Sequence, residues 1–207
     1  MPRAKSYDRK TVLLKAMQVF WANGYERASI ADLEEAMGIN RFSIYDAFGD
    51  KKGLFLASIE AYGDEVTKRQ TACLLDPGGA VGVQKFFKTL LPPPSRKNNP
   101  GCLVMNSLVE LSGQDPDIDA AITANLRFVE DRMHKAANSA LKSGDFVSNR
   151  SARSLARQLL SVAQSVLAFS KSKDGYPIAK SAITGLFASL LTQEKSGAKS
   201  RPSKVTG

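Results

Sequence analysis

The chain has 207 residues, of which 43% are hydrophobic, and its 29 Lys and Arg outnumber its 20 Asp and Glu, for a net charge of +9. A chain of this length and composition can bury a substantial core. No apolar run approaches the roughly 18 residues that span a bilayer, and no signal-peptide core follows the basic segment 1–10, so we expect a cytoplasmic protein that does not enter membranes. The positive charge favours an anionic partner, and nucleic acid is the first candidate.

The residues that carry most enzymatic and metal chemistry are scarce. The chain contains two cysteines, Cys73 and Cys102, and one histidine, His134. Two distant cysteines suit reduced thiols, and with a single histidine they cannot build a typical structural zinc site. We also find no phosphate-binding loop and no Ser/His/Asp or Cys/His set. The sequence therefore predicts a protein that is not an enzyme and that has no catalytic residue, metal or cofactor.

Helical periodicity begins close to the N-terminus. Residues 1–6 offer few apolar anchors and are expected to form a mobile arm. A first helix over about 8–23 places Val12, Ala16 and Phe20 on one face, and Gly24 supplies its end. We expect this helix to provide the core for the shorter helices that follow.

Two short helices with a sharp turn between them come next. Ser29 and Asp32 have the spacing of a capping box, Gly38 can end the first short helix, and Asn40 can cap the second, over 41–48. A helix of about two turns is not stable alone, so its neighbours must hold it. This is the helix-turn-helix layout, whose second helix enters the major groove of DNA.

Placement rather than amount of charge must provide DNA affinity. Residues 1–60 carry nine Lys and Arg against eight Asp and Glu, so this part is almost neutral. The basic residues stand near the N-terminus and at the starts of the second short helix and of the helix after it: Arg3, Lys5, Arg9, Lys10, Arg41, Lys51 and Lys52.

The rest of the chain reads as helices joined by loops. Asp50 can cap a long helix that reaches about residue 75. Further helices are predicted over about 80–91, 102–112, 116–143, 176–194 and, starting at either Asn149 or Ser151, to about 170. The three consecutive prolines within 92–101 predict a loop, and 196–207 is expected to be a disordered basic tail. With no strand signal, we predict an all-α fold with a DNA-binding domain at 1–54 and an effector-binding and dimerisation domain at 55–195.

The segment 28–55 resembles the helix-turn-helix of TetR-type transcriptional regulators. The matching positions are the Ser29 cap, Ile30 to Leu33, Gly38-Ile39, Ser43-Ile44-Tyr45, Phe48, Asp50-Lys51 and Leu54-Phe55, and Gly24-Tyr25 in the helix before. The chain departs from the commoner pattern at Phe42 and at Asp46-Ala47. The resemblance implies a repressor that is released from a palindromic operator by a small-molecule effector, but the departures prevent the operator from being inferred by analogy.

Four residues of the second short helix are candidates for reading base edges. Arg41 can make two hydrogen bonds to guanine and Ser43 one to a base, while Asp46 can accept from a cytosine amine and Phe42 can contact a thymine methyl. Ser29, Tyr45 and Lys51 are expected to bind phosphates.

The second half must supply dimerisation, because a single helix-turn-helix covers only a few base pairs. The last two predicted helices are the candidates, and paired with their symmetry mates they would form a four-helix bundle, as the resemblance also implies. The small residues Ala182, Gly185, Ala188 and Ser189 would permit a close approach.

An effector pocket is predicted among the remaining helices. Its candidate apolar residues are Phe86, Leu90, Met105, Val109, Ile122, Leu126 and Met133. Asn106 or Glu110 could orient a polar group of the ligand. Cys102 follows the basic residues Arg96 and Lys97, so an alternative is a redox or electrophile sensor with a lowered thiol pKa. A non-specific architectural DNA-binding protein is a further alternative, although it would not need the large second half.

Overall fold

The computed structural model describes residues 7–91 and 99–191. The predicted N-terminal arm, most of the proline-rich loop and the basic tail lie outside the described residues. The regular α-helices are α1 (Arg9–Asn23), α2 (Ile30–Met37), α3 (Arg41–Phe48), α4 (Lys51–Tyr62), α5 (Lys68–Gln70), α6 (Gly79–Leu90), α7 (Leu103–Leu111), α8 (Pro116–Ser143), α9 (Ala152–Phe169) and α10 (Tyr176–Leu190). The all-α prediction is confirmed, since the described residues form only one isolated β-bridge, between Phe146 and Leu191.

Local capping explains why the N-terminal helices begin where they do. The side chain of Asp8 accepts from the Thr11 amide at 2.8 Å, and that of Asp50 accepts from the Gly53 amide at 2.7 Å. Each carboxylate satisfies an amide that the first helical turn leaves without a partner. The first helix was predicted to begin at about residue 8 and the helix after α3 at residue 50. Both starts are confirmed within one residue.

The helix predicted over 50–75 is not uniform. After α4 the chain forms a π-helical turn at Gly63–Thr67, then the short α5 and a 3-10 turn at Ala72–Leu74. The wider turn changes the helical register, and Thr67 and Thr71 become buried. Asn125 of α8 approaches this turn, with its amide nitrogen 3.4 Å from Thr67 Oγ1.

Two apolar clusters form the core. The first joins α1 to α4 with α7 and the start of α8, and its fully buried side chains include Phe20, Phe55 and Leu103. The second lies among α6, α8, α9 and α10 around Phe87, Met133 and Leu159. The core of the N-terminal helices is therefore continuous with α7, so α1 to α4 pack directly on the larger half.

Three large apolar side chains of α7, α9 and α10 are exposed. Val109, Phe169 and Ile178 have exposed fractions of 77%, 45% and 51%. Val109, a candidate pocket residue, is exposed because α7 packs on α1, α4 and α8, which cover one side of it. In the part of the chain that the structure describes, no helix has both the length and the apolar character that a membrane span requires.

Candidate nucleic-acid interface

The turn between α2 and α3 is built by local hydrogen bonds. Gly38 ends α2 in the left-handed conformation, at φ 71° and ψ 25°, which a residue with a Cβ adopts only at a cost. Asn40 then accepts from the Ser43 amide at 2.9 Å, and the carboxylate of Glu34 in α2 accepts from the Arg41 amide. These contacts set the direction of α3 relative to α2.

Helix α3 presents four of the seven predicted DNA-binding residues to solvent. Its one buried residue is Ile44, whereas Phe42 is 81% exposed and Tyr45 is 40% exposed. Arg41 and Asp46 are also exposed, and Ser43 is half-buried. The exposed side of α3 therefore carries both polar and aromatic side chains, and a single exposed ring such as that of Phe42 does not by itself indicate a partner.

The N-terminal end of α1 braces α3 from the side opposite its exposed face. The guanidinium of Arg9 donates to the carbonyl of Ala47 at 3.3 Å and lies 4.6 Å from the ring centre of Phe48. The hydroxyl of Tyr7 donates to the carbonyl of Ser43 at 3.4 Å. The sequence suggested Arg9 as a positive charge for binding DNA. In the structure Arg9 also holds the C-terminal end of α3 in place.

The junction between α3 and α4 tolerates only glycine at position 53. A Cβ on Gly53 would lie 2.1 Å from the carbonyl oxygen of Phe48. No side chain can fit at that distance unless the two helices move apart. Gly53 therefore keeps α4 close to the end of α3.

The two lysines at the start of α4 lie in different environments. The ammonium of Lys51 lies 4.6 Å from the ring centre of Tyr25 and donates to the carbonyl of Glu26 at 3.4 Å. Lys52, which the sequence places among the basic residues for DNA affinity, pairs its ammonium with Asp115 at 2.7 Å and Asp117 at 2.8 Å, at the start of α8. Lys52 thus links the start of α4 to the start of α8.

Ser29 forms the predicted capping box. Its side chain accepts from the Asp32 amide at 3.1 Å, and Asp32 accepts from the Ser29 amide at 2.9 Å. Hydrogen bonds from the Ser29 side chain and backbone lower the pKa of Asp32. Ser29 is exposed at the start of α2, where a phosphate would meet the positive end of the helix.

A second link between the halves was missed by sequence reasoning. The carboxylate of Glu110 in α7 accepts from the backbone amides of Tyr25 at 3.0 Å and Glu26 at 2.9 Å, in the turn between α1 and α2. A Cβ on Gly24 would lie 2.6 Å from the same carboxylate. The sequence suggested Glu110 only as a ligand group, since nothing in its local pattern indicates a contact so far along the chain.

The predicted effector-pocket residues are divided in the structure. Phe86, Leu90 and Met133 belong to the core cluster of α6 and α8 to α10, and Ile122 and Cys102 to the other cluster, against which Met105 and Leu126 pack. A separate cleft between α1, α7 and α9 is lined by Met105, Asn106 and Val109. The structure brings these three residues together but does not join them to Phe86, Leu90 and Met133.

Cys102 lies inside the core at the start of α7. It is 8% exposed, and burial raises the pKa of its thiol. The sensor alternative required a lowered pKa, and this requirement is not met. Burial also raises the pKa of Tyr62. Its ring lies edge-on to that of Trp21, with 4.9 Å between the ring centres.

The Lys52 ion pairs predict an acid-dependent loss of stability. The hydrogen bond from Lys52 holds the pKa of Asp115 below its usual value of 3.8. A carboxyl with a depressed pKa stabilises the fold above its unfolded pKa and loses that contribution as the pH falls through its folded pKa. Thermal unfolding measured from roughly pH 6 to 3 should therefore show a smaller loss of stability in Lys52→Met than in the unaltered protein.

Lys68→Met is the matched control for that series. Lys68 pairs with Asp64 one turn earlier, at 2.6 Å, and both side chains are more than half exposed. Such a pair contributes little to stability. If Lys52→Met lost as much stability at low pH as the unaltered protein, the Lys52–Asp115 pair would not be a cause of the acid-dependent loss.

The fold and the exposed face of α3 place this protein in the class of helix-turn-helix regulators. Comparison with known proteins identifies its family. The model of the N-terminal domain of bacterial regulatory proteins of the tetR family matches residues 12–58. The model of a tetracyclin repressor-like C-terminal domain matches residues 83–184. The chain belongs to the TetR family.

Individual relatives support this membership. The chain is 35% identical over 119 residues to the HTH-type transcriptional repressor ComR of Escherichia coli. The aligned residues make up 56% of this chain and 57% of ComR. The chain thus matches a little over half the length of that relative. It is 30% identical over 138 residues to the uncharacterized HTH-type transcriptional regulator YezE of Bacillus subtilis, covering 65% of this chain and 70% of YezE.

A solved structure extends the similarity to nearly the whole fold. A cysteine mutant of the TetR family transcriptional regulator CifR, complexed with 26bp double-strand operator DNA, superimposes with a TM-score of 0.71 at 27% identity. The superposition covers 88% of this chain and 98% of the CifR chain.

Proposed function

We propose that this protein is a transcriptional repressor that binds a palindromic operator as a homodimer and leaves it when a small-molecule effector binds. The observation that carries the proposal is the outer face of α3, where Arg41, Phe42 and Tyr45 are exposed while Ile44 anchors the helix. The names of the relatives support it, since ComR is named a repressor and CifR is complexed with operator DNA.

The roles on DNA follow from side-chain chemistry. Arg41, Ser43 and Asp46 offer hydrogen bonds to base edges, and Phe42 offers an apolar contact to a thymine methyl. Tyr45, Lys51 and Ser29 flank them and are assigned to phosphates. Lys51 supports this role because it stands in the first turn of α4, with its ammonium 4.6 Å from the ring centre of Tyr25.

Dimerisation is assigned to α9 and α10. Phe169, Ile178 and Leu191 are exposed apolar residues on or beside these helices. A Cβ on Gly185 would have no heavy atom within 4 Å, and Ala188 and Ser189 are also exposed, so a second helix can approach α10 closely. A dimer would bury this apolar surface and place two α3 helices on successive half-sites.

The test is selection of bound fragments from random duplex DNA, followed by competition at fixed salt. A specific reader should select a palindrome and prefer it to random DNA by at least ~10³. Sedimentation of the protein alone and of the complex checks for two chains per operator. A monomer that shows no preference among duplexes would refute the proposal and favour a non-specific DNA-binding protein.

Two variants separate base reading from phosphate binding. Arg41→Ala is expected to cost about 1–3 kcal/mol of operator binding and to relax specificity at one base pair, because a bidentate contact to guanine is lost. Lys51→Ala is expected to weaken binding to all sequences alike and to reduce the dependence of affinity on salt. Binding to operator and random duplexes is measured for both. Equal losses on the two DNAs for Arg41→Ala would contradict its assignment.

A further inference from the structure

A cleft of about 440 Å³ lies where the end of α1 meets α7 and the end of α9. Three elements from distant parts of the chain form its walls, so it exists only in the folded protein. The side chains that define its chemistry are Trp21, Arg27, Met105, Val109, Glu110 and Lys171.

The apolar wall of the cleft is rigid on one side and open on the other. The indole of Trp21 donates to the carbonyl of Gly101 at 3.1 Å and packs edge-on against Tyr62, so its plane is held in place. Met105 is half-buried, and Val109 is 77% exposed. An apolar group in the cleft would therefore cover side chains that now face solvent, and its burial would favour binding.

The charge that remains available in the cleft is positive. Lys171 donates to the side-chain oxygen of Asn106 at 3.2 Å, and Arg27 donates to the carbonyl of Asn23 at 3.0 Å. Within 7–91 and 99–191 neither cation has a carboxylate at ion-pair distance. The carboxylate of Glu110 also lines the cleft, but it already accepts from two backbone amides.

We propose that this cleft binds a small amphipathic monocarboxylate and that its occupation lowers operator affinity. The carboxylate pairs with Lys171, and the apolar body lies against Trp21, Met105 and Val109. The effect on operator affinity rests on the proposed function. Binding in the cleft does not, since it requires no DNA.

Glu110 provides the connection from the cleft to the DNA-binding helices. It holds the amides of Tyr25 and Glu26, and the carbonyl of Glu26 accepts from Lys51 at the start of α4. An anion beside Glu110 repels its carboxylate and weakens this hold on the turn that precedes α2. The ligand then favours an arrangement of the reading helices that binds the operator less well, by the factor of its differential affinity.

Trp21 allows binding to be measured directly, because it is the single tryptophan of the chain. Octanoate is a suitable probe, and octanamide is its uncharged match. Titration of the full-length protein without DNA should give a saturable change in tryptophan fluorescence with octanoate. With octanamide and with Lys171→Gln, the apparent affinity should fall by up to about fivefold, the range for one exposed ion pair.

Lys173→Gln is the matched control, since Lys173 is exposed two residues further along and does not line the cleft. Its octanoate affinity should equal that of the unaltered protein. No saturable signal, or equal responses to octanoate and octanamide, would overturn the proposed site. A loss in Lys173→Gln as large as in Lys171→Gln would also overturn it.

The coupling is tested on an operator selected from random duplexes. Saturating octanoate should raise the operator dissociation constant by about 5-fold to 150-fold, and by less in Lys171→Gln at the same concentration. Octanoate that binds without changing operator affinity would overturn the coupling. Failure to select any preferred duplex would refute the proposed function while leaving the fluorescence result intact.

Discussion

Replacing Phe20 with Ala is expected to lower the free energy of unfolding by about 3–5 kcal/mol, the range for removing a phenyl ring from a packed core. Phe20 has no exposed surface, and its ring lies 5.0 Å from that of Phe55 and 6.2 Å from that of Tyr25. These contacts join α1 to α4 and to the turn before α2. Chemical denaturation followed by circular dichroism measures the loss, and operator binding should fall with it.

Phe42→Ala is the matched control, because it removes the same ring from an exposed position on α3. Its free energy of unfolding should change by no more than about 0.5 kcal/mol, since the ring is 81% exposed. Its operator affinity should nevertheless fall. If the two variants were equally stable, Phe20 could not be buried between α1 and α4.

Replacing Glu110 with Ala should have the next largest effect, with a loss of about 1–3 kcal/mol in the free energy of unfolding. The substitution removes a charged acceptor from the amides of Tyr25 and Glu26. It should also weaken operator binding, because the turn before α2 loses its support from α7. Denaturation and operator binding are measured on the same samples.

Glu110→Gln should fall between the unaltered protein and the alanine variant, because an amide keeps only one acceptor oxygen for two donors. Glu60→Ala removes a carboxylate from the exposed side of α4 and serves as a control with little expected effect on stability. An alanine variant at position 110 that retained both stability and operator affinity would exclude Glu110 as a link between the two halves.

The features predicted correctly are those encoded by residues close together in sequence. The capping box of Ser29 and Asp32, the left-handed Gly38 and the Asn40 cap all act within one helical turn, and each occurs as the sequence indicates. The start of α8 at Pro116 after the Asp115 cap is of the same kind. Because these interactions are local, their residue types and spacing are sufficient to identify them.

The features that were missed depend on contacts between distant segments. The sequence shows Lys52 only as a basic residue at a helix start, whereas in the structure α8 brings Asp115 and Asp117 beside it. Val109 has the helical spacing of a core residue, yet the helices that pack on α7 leave it exposed. The apolar pocket residues predicted from the sequence are divided between two core clusters and the cleft beside α7, and periodicity cannot distinguish one apolar neighbour from another.

The sequence alone determined the helices, their caps and turns, the helix-turn-helix and the set of exposed residues on α3, because backbone hydrogen bonding and helical periodicity act over a few residues. Only the tertiary structure decided which charges pair across the two halves, that the Glu110 carboxylate holds the turn before α2, and where a cleft remains open between α1, α7 and α9. Those outcomes depend on how whole helices pack. Packing is a property of surfaces assembled from residues far apart in the chain.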